Sequence, residues 1–411
     1  MYDIVFQKAY ISLGLSALAG LAFFFHSFLE EKIFNRLGNR LSFGIMSLLF
    51  RFIPFFIIYV YYGIDAQSDV QIFWRSAQGA KELKLVYRDF DSLYSPFFAY
   101  ITAIFLPFWD TARAVTLVMI VIELIALRLT IKCFPSTDNY SSSFKSLIYL
   151  LLPGPFVFCV IGGQEDIWMW GFACLVLYLW KLQKSDFVLG IATGLGLLAT
   201  KAFFVLVIPP LFFKVNNKVS FVAGMAAIGL PVMGFLFYQD GLSFLMPLQL
   251  AQEPMSPNIW AVLYPFFGNI IAQFNIRLLN WIGLFLILGV TLFQTLRKKD
   301  LPLNRFLPFI WVVIFGIMML FQIGSYANYV FIYAMPLLIA LTNFNDKKAI
   351  ITTFFINAVA VVQASLWFRT GKPFFHFSDF TKTAFILEYS LEIILLVGVV
   401  YWLKMAFKNN A

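Results

Sequence analysis

The chain has 411 residues, of which 61% are hydrophobic and 12% charged, with a mean hydropathy of +0.83 and a formal net charge of +9. A soluble domain carries about 25% charged residues, so this composition excludes a water-soluble globular fold and calls for a bilayer as solvent. The basic residues sit in short segments between apolar runs and form no stripe, which excludes a nucleic-acid partner and fits loops on the cytoplasmic side of a membrane.

About 20 apolar residues cross the hydrocarbon. In chain order, the runs 9–29, 42–62, 113–134, 145–163, 166–183, 187–200, 202–213, 218–238, 275–296, 306–324, 328–343, 349–368 and 383–406 predict an all-α polytopic membrane protein. The count is 12 or 13 spans, because 187–200 and 202–213 read as one bent helix or two half-length ones. The first run lacks a basic n-region and an A-x-A site, so it reads as a retained helix. With 13 crossings the basic loops fall on one side: those holding Lys32, Arg36 and Arg40, Arg128 and Lys132, Lys181 and Lys184, Arg297 to Lys299 with Arg305, Lys347 and Lys348, and Lys404 and Lys408. The positive-inside rule makes that side cytoplasmic, with the N-terminus outside. The expected location is a bacterial cytoplasmic membrane, or the endoplasmic reticulum of a eukaryote. Cys133, Cys159 and Cys174 have neither metal nor redox spacing.

Three segments then face outward: 63–112, 239–274 and 369–382. The first holds Asp65, Asp69, Asp89, Asp91 and Asp110 beside Arg75, Lys81, Lys84 and Arg88. Within it, 70–83 predicts a surface helix. Residues 94–108 are apolar but short for a span, and predict an interfacial or re-entrant segment.

Chemistry is sought on that outer side. Asp69, in GIDAQSDVQIFW, is either a solvated loop carboxylate or a general base, with Asp65 four residues earlier as competitor for that role. Gln164, Glu165 and Asp166 stand in IGGQEDIWMW. Two acids opening a helix either complement its dipole or form a second acidic motif, and the two glycines before them permit close backbone approach. Lys201 interrupts LLATKAFFVLVIPP, where it either meets an anion such as a lipid phosphate or snorkels to the interface. Tyr326, Asn328 and Tyr329, in GSYANYVFIYAMPLL, are belt residues or the lining of a sugar pocket. A lone His376 is structural, or else binds phosphate or positions an acceptor. Arg51, Glu123, Glu388 and Glu392 fall within spans and read as structural pairs, Glu123 with an Arg. No P-loop, dinucleotide fingerprint, H-E-x-x-H or zinc spacing occurs, so a donor substrate would be carried by lipid rather than nucleotide.

In order, the chain carries Asp69-Val-Gln-Ile-Phe-Trp, Tyr87-Arg-Asp-Phe, Tyr94-Ser-Pro-Phe, Gly163-Gln-Glu-Asp166, Gly190 through Gly194 to Lys201, Asn328-Tyr329 and Pro336. This succession, over about residues 60 to 345, resembles the GT-C-fold glycosyltransferases that use polyprenyl-phosphate sugars. Within them it is most similar to bacterial polyprenol-phosphate-mannose mannosyltransferases and to the GPI mannosyltransferase I type. The resemblance implies a GT-C-like bundle in which 42–240 is the catalytic module, 1–41 an added N-terminal helix and cytoplasmic loop, and 241–411 variable C-terminal helices. It implies Asp69 as base, with Asp65, Glu165 and Asp166 as further acids. Lys201, Arg75 and His376 would face the donor phosphate. Gln164, Tyr87, Tyr94, Tyr326, Asn328 and Tyr329 would bind substrate. The expected reaction moves a sugar, mannose by resemblance, from the polyprenyl-phosphate donor to a lipid-linked or glycan acceptor, with inversion. The chain departs from the family in having no tight acidic pair at Asp69, and it calls for no cofactor and no obligatory divalent metal. The rival expectation is a transporter or flippase of lipid-linked sugars, which inverted repeats would favour, though none is evident. An O-antigen-type polymerase would carry an Arg-rich late outer loop, which 239–274 lacks.

Overall fold

In the computed structural model the described residues are 3–66, 69–135, 139–247 and 253–409. Gln67 and Ser68 of the first-loop motif, and residues 248–252 of the late outer segment, lie outside them. Hydrocarbon offers no partner for backbone N–H and C=O groups, so apolar runs close their own hydrogen bonds as helices. The chain is an all-α, multi-pass integral membrane protein. Among the described residues eight helices are long and apolar enough to cross a bilayer, or nine with one bent pair, and five shorter apolar helices accompany them.

The chain opens with α1 (Asp3–Phe24) and α2 (His26–Tyr61). The segment between α2 and the next long helix contains α3 (Asp69–Lys81) and the short α4 (Phe98–Thr102). Next come α5 (Ala112–Cys133) and a pair, α6 (Ser142–Leu150) and α7 (Pro153–Ile161), bent by 60° at Pro153. Then follow α8 (Ile167–Lys181), α9 (Asp186–Ala199), α10 (Ala202–Lys214) and α11 (Lys218–Asp240). The C-terminal part adds α12 (Ile259–Ile271), α13 (Ile276–Arg297), α14 (Leu303–Phe321), α15 (Ala327–Leu341), α16 (Lys347–Thr370) and α17 (Thr383–Asn409).

Three expectations change, and one open alternative is resolved. Residues 30–41 are not a loop: α2 runs through them with a kink at Gly38 (φ 71°), and Glu30 accepts the Ser141 N–H at 2.8 Å. Their polar side chains fit a helix end at the membrane surface as well as they fit a loop. The span count falls because 166–183 and 328–343 form helices of only 15 residues, α8 and α15. Residues 187–213 form two half-length helices that meet at Thr200–Lys201. Finally, 239–274 contains the apolar helix α12. The expected surface helix is present as α3, whose buried residues Val70, Phe73, Ala77 and Ala80 recur at helical spacing. Residues 94–108 form one short helix and turns. The C-terminal helices are no appendage, since Phe309, Trp311, Phe331 and Tyr333 share one buried core with Ile120, Trp168 and Trp170.

A fully buried ion pair fastens α2 to α5. Arg51 Nε and Nη2 meet the two Glu123 oxygens at 2.6 and 2.8 Å. Nη1 donates to Phe50 O and Leu150 O, and the Tyr149 hydroxyl donates to Glu123 Oε1 at 3.0 Å. Such a pair survives desolvation only when its hydrogen bonds are made, as here.

The α9–α11 contact explains a motif. A Cβ at Gly190 would strike Phe221 O, one at Gly224 would strike Phe187 O, and one at Gly194 would meet Ile228 Cγ2 at 2.7 Å. Small residues four apart thus bring the two backbones together. Gly190→Ala and Gly224→Ala should each destabilise the purified protein by about 1–3 kcal/mol. Gly229→Ala, which meets no atom within 4 Å, should not. Thermal unfolding in detergent reads the difference.

Candidate functional site

The site forms where three interrupted backbones meet. At the first, α9 stops at Ala199, Thr200 and Lys201 are extended, and α10 begins. A helix end leaves carbonyls without partners, and within a membrane these must be met by protein. The segment Tyr94-Ser-Pro-Phe meets them: Phe97 N–H donates to Leu198 O at 2.8 Å and Ser95 N–H to Thr200 O at 3.2 Å. Pro96, which has no N–H, falls between the two donors.

The second interruption is Gly162–Gly163, between α7 and α8. Gly163 has φ +56°, and a Cβ there would strike the Val70 side chain at the start of α3. Only glycine fits both the left-handed backbone and the contact. The turn delivers Gln164 to Asp69, the first residue of α3. Gln164 Nε2 donates to Asp69 Oδ2 at 2.9 Å. The third interruption is the start of α15, where Asn328 Nδ2 donates to Gln164 Oε1 at 2.9 Å. A carboxylate only accepts, so the Gln164 amide must turn its N–H to Asp69 and its oxygen to Asn328.

Lys201 points from the helix break into the same place. Its Nζ lies 2.5 Å from Asp166 Oδ1 and 2.7 Å from Glu165 Oε1, with the Tyr94 and Tyr329 ring centres at 5.6 and 5.3 Å. One ammonium therefore serves two buried carboxylates and sits between two aromatic faces. Tyr94 stacks on Phe98, and Tyr326 packs edge-on against Tyr329. Several fully buried polar atoms here have no hydrogen-bond partner: Glu165 Oε2, Asp166 Oδ2, Asn328 Oδ1 and the Trp168 indole N–H. Buried polar groups are normally paired, so these atoms leave the cluster with hydrogen-bonding capacity its own residues do not fill. Among the described residues no group of three or more His, Cys, Asp or Glu side chains is arranged to hold a metal ion.

Asp69, Gln164, Glu165, Asp166, Lys201, Tyr94, Tyr326, Asn328 and Tyr329 thus converge from five separate stretches of chain. The other expected residues stand apart. Asp65 is 80% exposed and bound to Arg113 at 2.6 Å. Tyr87, with φ +70°, donates its hydroxyl to Tyr94 O at 2.5 Å, so it supports the site from behind, and burial pushes its phenol pKa up. Arg75 is exposed on α3. His376 is exposed and caps the turn 377–381 through Asp379. Lys201, expected as a cation facing the donor phosphate, already shares its charge with two acids. Residue types alone did not single out Trp168, although it stands in the quoted IGGQEDIWMW, whereas the close backbone approach expected of the glycines before Gln164 is made by Gly163 against Val70. Outside the cluster, the Lys81 ammonium at 2.8 Å and then the Trp74 indole hold the Asp110 carboxyl below its ordinary range, which fastens α3 to the start of α5.

No family model matches the chain, and no curated protein matches its sequence.

Replacing Lys201 with Met would strand Glu165 and Asp166 without a cation. The expected cost is about 3–5 kcal/mol of stability. Adding Glu165→Gln and Asp166→Asn should recover part of it in the same unfolding measurement. No loss in the single variant would mean that the carboxylates are not held by Lys201.

Proposed function

We propose that the chain is a membrane-embedded glycosyltransferase that moves a sugar, mannose in the first instance, from a polyprenyl-phosphate donor to a lipid-linked or glycan acceptor on the extracytoplasmic face. The observation that carries the reading is Asp69. Its carboxylate is oriented by Gln164 and Asn328 at the edge of a buried cluster lined by Tyr94, Tyr326 and Tyr329. Aromatic faces beside carboxylates and amides suit a sugar, which offers apolar C–H faces and many hydroxyls. Membrane helices around the cluster suit a donor that arrives by lipid.

In this reading the acceptor hydroxyl lies against Asp69, which takes its proton as the oxygen attacks the anomeric carbon. The bond from that carbon to the phosphate oxygen breaks, and the electron pair leaves with the polyprenyl phosphate. A single displacement inverts the anomeric centre. Lys201 acts here as a positioning residue that keeps Glu165 and Asp166 in place to accept hydrogen bonds from substrate hydroxyls.

The test is transfer from radiolabelled polyprenyl phosphosugars (mannose, glucose, galactose and arabinose) by purified protein in lipid extract. Asp69→Asn should lower the rate by about 10²–10⁴-fold while leaving the fold intact. Asp65→Asn should leave it unchanged. Transfer that survives Asp69→Asn would move the base to Glu165 or Asp166. A wild type inert toward every donor would overturn the reading in favour of transport.

A further inference from the structure

A second buried polar cluster lies among the C-terminal helices, apart from the site above. Glu388 and Glu392 stand one turn apart on α17 and are fully buried. Gln363 of α16, also fully buried, donates Nε2 to Glu388 Oε1 at 2.6 Å and to Ser256 Oγ at 3.2 Å. The Ser256 hydroxyl donates in turn to Glu392 Oε1. These bonds use every donor in the group, namely the two amide N–H of Gln363 and the one O–H of Ser256. Three buried acceptors remain without a partner: Glu388 Oε2, Glu392 Oε2 and Gln363 Oε1. The Gln363 oxygen is the independent sign, since an amide whose nitrogen is fully engaged here presents its carbonyl to something that donates.

The two carboxyl groups stand one turn apart and are joined through the Gln363 amide and the Ser256 hydroxyl. Two bare carboxylates so placed within a low-dielectric interior repel strongly. Among the described residues no ion pair offsets them. Tyr389 stands beside Glu392 but gives its hydroxyl to Val262 O. Of the charged groups on elements packed against α17, Asp379 is paired with Lys372, Arg369 ends α16, and Arg305, Lys347 and Lys348 stand at the opposite ends of α14 and α16. The cluster is short of positive charge.

We propose that Glu388 and Glu392 form an intramembrane proton-binding site that holds one proton between them, as carboxylic acid and carboxylate. Its structural consequence lies in the segment 253–258, which leads into α12. That segment is held by Met255 N–H to Ile323 O, by Asn258 Nδ2 to the same carbonyl, and by Ser256 to Glu392. The proton keeps the pair compact and so keeps Ser256 docked. Its loss forces the carboxylates apart and frees the segment.

The test uses the full chain in lipid nanodiscs. Infrared spectra in H₂O and D₂O should show a protonated-carboxyl band at neutral pH that is absent from Glu388→Gln and from Glu392→Gln, since each amide supplies the missing donor itself. Amide exchange across 255–262 should speed up roughly tenfold in the wild type at the pH where the band vanishes, and stay slow in both variants. A wild type without the band, or a band that survives both substitutions, overturns the proposal. Absence of the band together with stabilisation by sodium over potassium would assign the pair to a metal cation instead. Exchange that ignores loss of the band overturns the link to 253–258.

Discussion

The ammonium of Lys201 holds together a region that would otherwise repel itself. Glu165 and Asp166 are buried at the start of α8, and a buried carboxylate without a cation is among the costliest features a membrane protein can carry. Lys201 reaches them only because α9 ends one helical half-span early, and that break is tolerable only because Ser95 and Phe97 meet the freed carbonyls. The segment that carries α3 and α4 is thereby tied to the middle of the bundle. Ion pair, helix break and the turn at Tyr94–Phe97 are one constraint met in three places, and the orientation of Asp69 follows from it.

The helical, membrane-bound character was plain in the sequence because hydropathy alone forces it. Glu123 could also be paired with an Arg in advance, since a lone charge in an apolar run needs an opposite. Much of the site was legible too: Asp69, Gln164, Lys201 and Asn328 each disturb an apolar or helical pattern, and all four converge. Their partnerships were not legible. Lys201 could be read as awaiting a phosphate, but whether Glu165 and Asp166 lie within reach depends on a three-dimensional crossing of α8 and the α9 break. Periodicity also could not tell an interrupted span from a loop, so 239–274 hid α12 and 30–41 hid a kinked helix. Asp65 and His376 were matched by type, and what set them aside was exposure and a local partner.

The long lipid-facing helices and the shorter inner ones divide the labour. Much of the lipid-exposed apolar surface lies on α1, α11 and α13, while α5, α14 and α16 are largely enclosed. The short helices α8, α9 and α15 end within the bundle, and their termini bring polar groups to its interior. A catalytic or binding centre inside a membrane needs such termini, because only there can backbone turn and side chains converge without exposing unpaired groups to lipid.

The bond from Asn328 to Gln164 spans 164 residues of chain. During synthesis, Asp69, Gln164 and the Lys201 carboxylate cluster all emerge and enter the bilayer well before Asn328 does. The amide of Gln164 therefore waits, with its oxygen unmatched, until α15 is inserted. The last partner of the centre is thus a late arrival, and a product stalled before residue 327 would present the quality-control machinery of its membrane with a polar patch that the finished protein conceals.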